Sequence, residues 1–296
     1  MAQTVNTLAN ITQENRIFYE RALIKRLLPM LHAYNDAQKS VLPHNSGTTV
    51  NWRKFTALGI TKTELTEGVT PDGKALAVQT VTGTAKQYGD YVTISDLLAK
   101  AGIDKAMSEA ALLCGEQAAL KIDSVVLAAM SEGATPVVES TEFTSAVVKK
   151  AVLKLKQKNA RRFEDGYYHA IISPEQAYSL MNEQNSGWID AAKYGSIKKL
   201  LKGEIGELHG VRFMESTNVP KGDDSAVAFI YGADYYGVVD MEGGAGKPSI
   251  ITKDFGSSGT DDPLNQRASC GWKNLFVAKV LDADAILKVT TSLPTV

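Results

Sequence analysis

The side chains of this sequence with chemistry to offer are four histidines, two cysteines, a few acidic pairs and a row of lysines, and their spacing decides what that chemistry can be. His32, His44, His169 and His209 form no H-x-x-x-H pair of a metal-binding helix, and none lies beside Cys114 or Cys270 in sequence. No metal centre and no cofactor are therefore expected. Gly243-Gly244-Ala245-Gly246-Lys247 imitates a phosphate loop, yet such a loop needs Gly where Met241 stands and Ser or Thr where Pro248 stands. Those substitutions remove the magnesium-binding hydroxyl and the fixed first turn, so the run reads as a loop. Asp223-Asp224 and Asp261-Asp262 read as turn pairs, because neither has the further spaced carboxylates a hard cation needs. Asn10-Ile11-Thr12 matches a glycosylation sequon, which carries no meaning in an unsecreted protein. Lys150, Lys154 and Lys158 lie four apart on one helical face, an arrangement that suits a solvated surface and also a face turned toward phosphates.

The elements that position these residues are clearest between Tyr167 and Pro220. The apolar run Ala170, Ile171, Ile172 stops at Ser173, whose hydroxyl can cap a helix with Pro174 at its first position and Gln176 three residues on. A strand running into a helix is predicted. Gly203, Gly206 and Gly210 supply turns, after which Val211 and Phe213 alternate with polar residues as in a half-buried strand. Nothing in this unit pairs a nucleophile with a base, so the chain reads as no enzyme. An α/β enzyme with a site near Ser173 or His209 is the alternative from a different class.

Composition agrees with a protein built to pack. At 296 residues and 44% apolar content, one large or two intermingled domains can bury real cores without staples. Cys114 and Cys270 are too few for a disulfide scaffold and fit buried free thiols made in a reducing cytoplasm. The opening MAQTVNTLANITQENRIFYE lacks the basic start and apolar run of a signal peptide, and no stretch reaches the ~18 apolar residues of a membrane span, so a protein soluble where it is made is expected. With 32 basic and 33 acidic side chains, the near-zero net charge argues against a dedicated nucleic-acid reader and permits self-association.

Along the chain, a polar lead passes into a helical stripe of Ile17, Phe18, Ile24, Leu27, Leu28 and Leu31, interrupted at Pro29, which reads as an arm. From Thr48 to Ile94 a Thr- and Val-rich segment folds back at Thr70-Pro71-Asp72-Gly73 as a two-stranded ribbon. Such a ribbon buries little of itself, so something else must cover it. A long helix is predicted from Ile103 to Ser131, ended by Gly133, about 44 Å long at ~1.5 Å per residue. A second, basic helix follows from about Thr144 to Arg162. Loops fill 240 to 270, and strands close the chain around Leu275 to Val280 and Ile286 to Thr290.

The segments IISPEQAYSL, GEIGELHGVRFMES, NVPKGDD and DPLNQRASCGWKNLFVAKVLDADAILKV resemble the major capsid proteins of tailed bacteriophages, the Hong Kong ninety-seven type fold, and most of all its coliphage N-four branch. The resemblance implies an α+β chain with an N-terminal arm (1–40), an extended β-hairpin loop (41–94), a peripheral domain with a spine helix (95–160), an axial domain (161–249) and peripheral return strands (250–296). It also implies self-assembly as hexamers and pentamers into an icosahedral virion capsid in the host bacterial cytoplasm. Partners would be scaffolding and portal proteins and packaged double-stranded DNA contacted non-specifically, with no membrane involved. An encapsulin nanocompartment shares the fold and is the structural alternative.

Under this resemblance a neighbouring subunit covers the ribbon. Trp52 and Phe55 are then candidate anchors, Pro71, Asp72 and Gly73 further intersubunit contacts at the tip, and Lys150, Lys154 and Lys158 possible DNA-facing groups. Some relatives form a Lys-to-Asn isopeptide bond, for which Lys62 or Lys74 with Asn265 or Asn274 would be the partners. The chain shows no long helical scaffolding domain ahead of its arm, which points to a separate scaffolding protein or to scaffold-free assembly.

Overall fold

A computed structural model describes residues 32–43, 47–56, 58–59, 64–65, 67–70, 73–102, 106–139, 141–183, 189–190, 204–222, 224–241, 249–257 and 261–294. The first half comprises α1 (His32–Asn35), β1 (Gln38–Leu42), β2 (Thr49–Phe55), β3 (Val78–Thr84), β4 (Lys86–Ser95), α2 (Asp96–Ala101), α3 (Ala106–Gly133), β5 (Thr135–Val138) and α4 (Ser145–Gln157). The second comprises β6 (Tyr168–Ile172), α5 (Pro174–Asn182), β7 (Ile189–Asp190), β8 (Glu204–Leu208), β9 (Val211–Glu215), β10 (Ser225–Tyr231), β11 (Tyr236–Met241), β12 (Ser249–Lys253), β13 (Arg267–Val280) and β14 (Ile286–Ser292).

Two sheets and one ribbon result. In the larger sheet the order is β5-β14-β10-β6-β9-β8-β7. Its central strands read as unbroken apolar runs, YHAII and SAVAFIY, because both faces are covered. Ala170, Ile172, Phe213, Ala228 and Ile230 face α4 and α5, whereas Ile171, Met214, Phe229 and Tyr231 face a second core that includes Ile122, Val126 and Met130 of α3. In the smaller sheet, β13 pairs along its length with β4, and on its other edge with β12 and then β11, which takes β1 as a parallel neighbour.

The strand-to-helix junction forms as its residues predict. Ser173 caps α5, its Oγ accepting the Gln176 N–H at 3.4 Å, with Pro174 in the first turn. The hairpin β8–β9 turns through His209 (φ 52°) and Gly210 (φ 80°), two left-handed positions in succession, the backbone of a type I′ turn. The long helix is α3, 28 residues and about 42 Å at ~1.5 Å per residue.

Several expectations change. β9 is buried on both faces rather than half-buried, Gly206 lies inside β8 rather than in a turn, and β12 and the start of β13 occupy part of the stretch 240–270 that read as loop. The basic helix ends at Gln157 rather than near Arg162, because Asn159 turns left-handed (φ 54°) and the N–H groups of Asn159 and Ala160 close on the carbonyls of Lys156 and Leu155, a Schellman stop. The ribbon is shorter than its Thr48–Ile94 pattern: β2 and β3 pair from Thr49–Thr84 to Phe55–Val78, after which Lys86–Ser95 leaves to pair with β13. Residues 38–42, at the boundary between arm and loop, form a strand of the smaller sheet. The stripe from Ile17 to Leu31 and the loop 243–247 lie outside the described residues.

Candidate assembly surfaces

The ribbon is seated at one end and bare at the other. At its base Trp52 is half-buried and packs beside the small core of Ala85, Val239 and Val277. Two glycines make room for the indole: a Cβ on Gly237 would lie 2.9 Å from its Nε1, and one on Gly83 2.9 Å from its Cζ3. Lys54 adds an ion pair to Asp282, in the connection between β13 and β14. Trp52 therefore makes a contact within its own chain and stays only half-buried.

Phe55, three residues further out and on the opposite face of the strand, is 64% exposed. Beyond it Leu65 is 78% exposed, Val69 63% and Leu76 67%, and Leu58 and Val78 are exposed as well. Scattered surface leucines need no explanation, but Phe55, Val78 and the four apolar side chains of the segment between them are all exposed, and none is covered by other described residues. Gly73 is exposed at the tip, while Pro71 and Asp72 lie outside the described residues.

On α4 the apolar positions Val147, Val148, Ala151, Val152 and Leu155 face the core and leave Lys149, Lys150, Lys154, Lys156 and Lys158 exposed. Lys150 pairs with Glu139 at 3.2 Å and Lys158 with Asp284 at 3.1 Å, both at the surface, where such pairs contribute little. Two members of the expected basic row thus have local acids, and Lys154 projects from the middle of it.

The residues on which an enzyme reading leaned are otherwise engaged. Ser173 is buried and spends its hydroxyl on the α5 cap, and His209 is an exposed turn residue whose imidazole is held below its ordinary value by partial desolvation and by Lys149. Cys114 and Cys270 are buried free thiols at the α3–β13 contact, with Cys114 Sγ 3.7 Å from the Cys270 carbonyl oxygen. Burial, then the neighbouring Cys270, pushes the Cys114 thiol up to about 11, which keeps it protonated and inert. Asp262 is buried and accepts the Arg267 N–H at 2.7 Å, as a turn residue does. Asn265 sits in the same turn with φ 54°, and Asn274 Oδ1 accepts the Leu275 N–H. Lys74 is exposed near the tip, and Lys62 lies outside the described residues. Among the described residues no cluster of three or more His, Cys, Asp or Glu side chains could hold a metal ion, and no helix is long and apolar enough to cross a membrane.

A buried polar network escaped the sequence reading. His169 lies between Asp36 and Asp165, and Asp165 meets Arg212 at 2.9 Å, which also faces Glu204 at 3.5 Å. Three consecutive aromatic neighbours, Tyr231, Tyr235 and Tyr236, wall it in with ring centroids 4.1 to 6.5 Å apart. Only the dense tyrosines of the stretch YGADYYG hinted at it, since Asp36 lies 133 positions from His169 in the chain.

Comparison with known proteins agrees with this geometry. A family model described as phage capsid protein matches residues 78–289. No curated protein matches the sequence. Among solved structures, the chain is similar to the capsid of Ralstonia phage GP4 (14% identity, 99% of each chain covered, TM-score 0.77) and to the capsid structure of the cyanophage P-SCSP1u (13% identity, 94% of this chain and 93% of that one, TM-score 0.71). It is also similar to the capsid asymmetric unit of cyanophage Pam1 (13% identity, 99% of each chain, TM-score 0.65). At these identities the likeness establishes the α+β fold of Hong Kong ninety-seven type.

Proposed function

The chain belongs to the phage capsid protein family, and from that premise we propose that it is the major capsid protein of a tailed phage, closing as hexamers and pentamers into an icosahedral shell around double-stranded DNA. The observation that carries the reading is the ribbon, firmly seated at Trp52 and apolar where it leaves the subunit. A neighbouring copy is the partner that repeats at every such ribbon in a closed shell, and many modest contacts of this kind become tight through effective concentration.

Within this reading, residues 1–40 act as the arm, 41–94 with the ribbon as the extended loop, 95–160 with α3 as the peripheral domain and its spine, 161–249 as the axial domain and 250–296 as the peripheral return strands. Lys86–Ser95 moves from the loop to the peripheral domain, because it pairs with β13. Phe55 and the tip make the intersubunit contacts. The exposed lysines of α4, Lys154 foremost, screen packaged DNA without reading its sequence. Assembly takes place in the host bacterial cytoplasm with scaffolding and portal proteins as partners, and the subunit catalyses no reaction.

Negative-stain microscopy of particles, with their nuclease-protected nucleic acid measured, tests the reading. Closed shells of uniform diameter that protect double-stranded DNA are expected. Shells holding protein cargo and no DNA would replace it with the nanocompartment alternative, and a small defined oligomer under assembly conditions would overturn it.

A further inference from the structure

Residues 33–37, through which the N-terminal 31 residues join the body, are held by ionisable groups shielded from water. Asp36 Oδ2 lies 2.7 Å from His169 Nδ1 and accepts the Tyr231 hydroxyl at 3.0 Å. The other ring nitrogen, Nε2, lies 3.0 Å from Asp165 Oδ2. The imidazole side chain is 4% exposed and stacks on Phe163, centroids 3.9 Å apart. An imidazole can donate from both nitrogens only when it is protonated; a neutral ring must turn a lone pair toward one of the two carboxylates.

The same short segment meets two more buried carboxylates. Asp123 on α3 is 1% exposed, accepts from Asn218 Nδ2 at 3.1 Å, and feels the Ala33 backbone N–H, which favours its ionised form. The Tyr34 hydroxyl donates to Asp240 on β11 at 2.8 Å. Five residues thus gather contacts from α3, β6, β10 and β11, while the 31 residues before them carry the apolar stripe.

We propose that this junction is a proton-operated clasp, in which His169 bridging Asp36 and Asp165 fixes the root of the N-terminal segment to the body, and loss of the ring proton frees that root.

The groups around the ring set the direction of the response. Burial alone would lower the His169 pKa, but hydrogen bonds and charge from Asp36 and Asp165 outweigh it and leave the value raised above 6.5. A raised folded value means a stabilisation complete below the unfolded value and lost as pH climbs through the folded one. Asp123, pushed up to about 6 by burial against the opposing hydrogen bonds from Asn218 and Ala33, acts in the same sense, since its ionisation leaves a charge in the core. The phenols of Tyr231, Tyr235 and Tyr236 are raised well above their ordinary value by burial, so they stay protonated throughout. Glu207 on β8 faces Tyr167 rather than the ring.

Arg212 on β9 breaks the symmetry. When His169 becomes neutral both carboxylates lose the attraction of the ring's charge; Asp165 still has the guanidinium at 2.9 Å, whereas Asp36 keeps the neutral Tyr231 hydroxyl. Opening is therefore expected on the Asp36 side, which releases residues 33–42 and leaves β6 and β9 in place.

Hydrogen–deuterium exchange on the purified full-length protein, expressed as protection relative to the intrinsic rate at each pH, reads the clasp directly. Between pH 6.5 and 9, protection of residues 33–42 is expected to fall as pH rises, while that of β10 and β14 holds. His169→Gln should remove most of that slope, leaving the part that Asp123 contributes at the low-pH end. Should that variant fail to fold, Asp36→Asn removes one of the two carboxylates and should move the midpoint to lower pH. Constant protection in the parent, an unaltered slope in His169→Gln, or an unmoved midpoint in Asp36→Asn would each overturn the proposal.

Discussion

Phe213 shows how a single side chain ties a strand to the helices above it. It is fully buried, shares a core with Ala177 and Leu180 of α5, and meets Phe143 edge-on at 6.5 Å. Phe213→Ala should lower stability by roughly 3–5 kcal/mol, read as a shifted denaturant midpoint, and a midpoint equal to the parent's would remove Phe213 from the core. Ser173→Ala should cost about 1 kcal/mol through the lost α5 cap, a loss that thermal unfolding will register. Trp52→Ala should cost about 2 kcal/mol, roughly half of what a fully buried aromatic loses, and should raise protease cleavage within residues 56–77. The Ser173 cap and the buried Phe213 were legible in the sequence because their determinants lie within a few residues. The Asp36–His169 contact was not, because its partners are 133 positions apart and neither local pattern depends on the other.

Elements were legible to the extent that their own residues dictate them. The apolar spacing of α3 and α4 and the unbroken runs of β6 and β10 specify helices and strands whatever else the chain does. Their ends were harder. Asn159 stops α4 by adopting a left-handed backbone, a role that a helical period does not reveal. The return strand after the ribbon tip splits at Ala85 because β13 claims Lys86–Ser95, and that partner lies some 180 residues away in the chain. On α4, replacing Lys150, Lys154 and Lys158 with Gln should leave the helical circular dichroism intact, since all three are exposed. Genome retention, or DNA affinity at low salt, should fall, because affinity of this kind scales with phosphates neutralised. Unchanged DNA content would return α4 to a merely solvated face.

At the scale of the molecule, two well-filled cores contrast with a projection that has none. The large sheet is buried on both faces and α3 bridges to the smaller one, so the body folds on its own residues. Beyond Phe55 the described residues up to Ala77 are exposed and add none of their side chains to a core. Folding and assembly should therefore separate. Replacing residues 63–76 with a two-residue Asn-Gly turn should leave a soluble protein with near-parental helix content, because the deleted tip supports no internal packing. Sedimentation velocity of this variant beside the parent, under conditions where the parent forms shells, tests the central claim most directly. Monomers or small rings from the shortened chain are the predicted result, and complete shells from it would contradict the ribbon's role as the clasp between subunits.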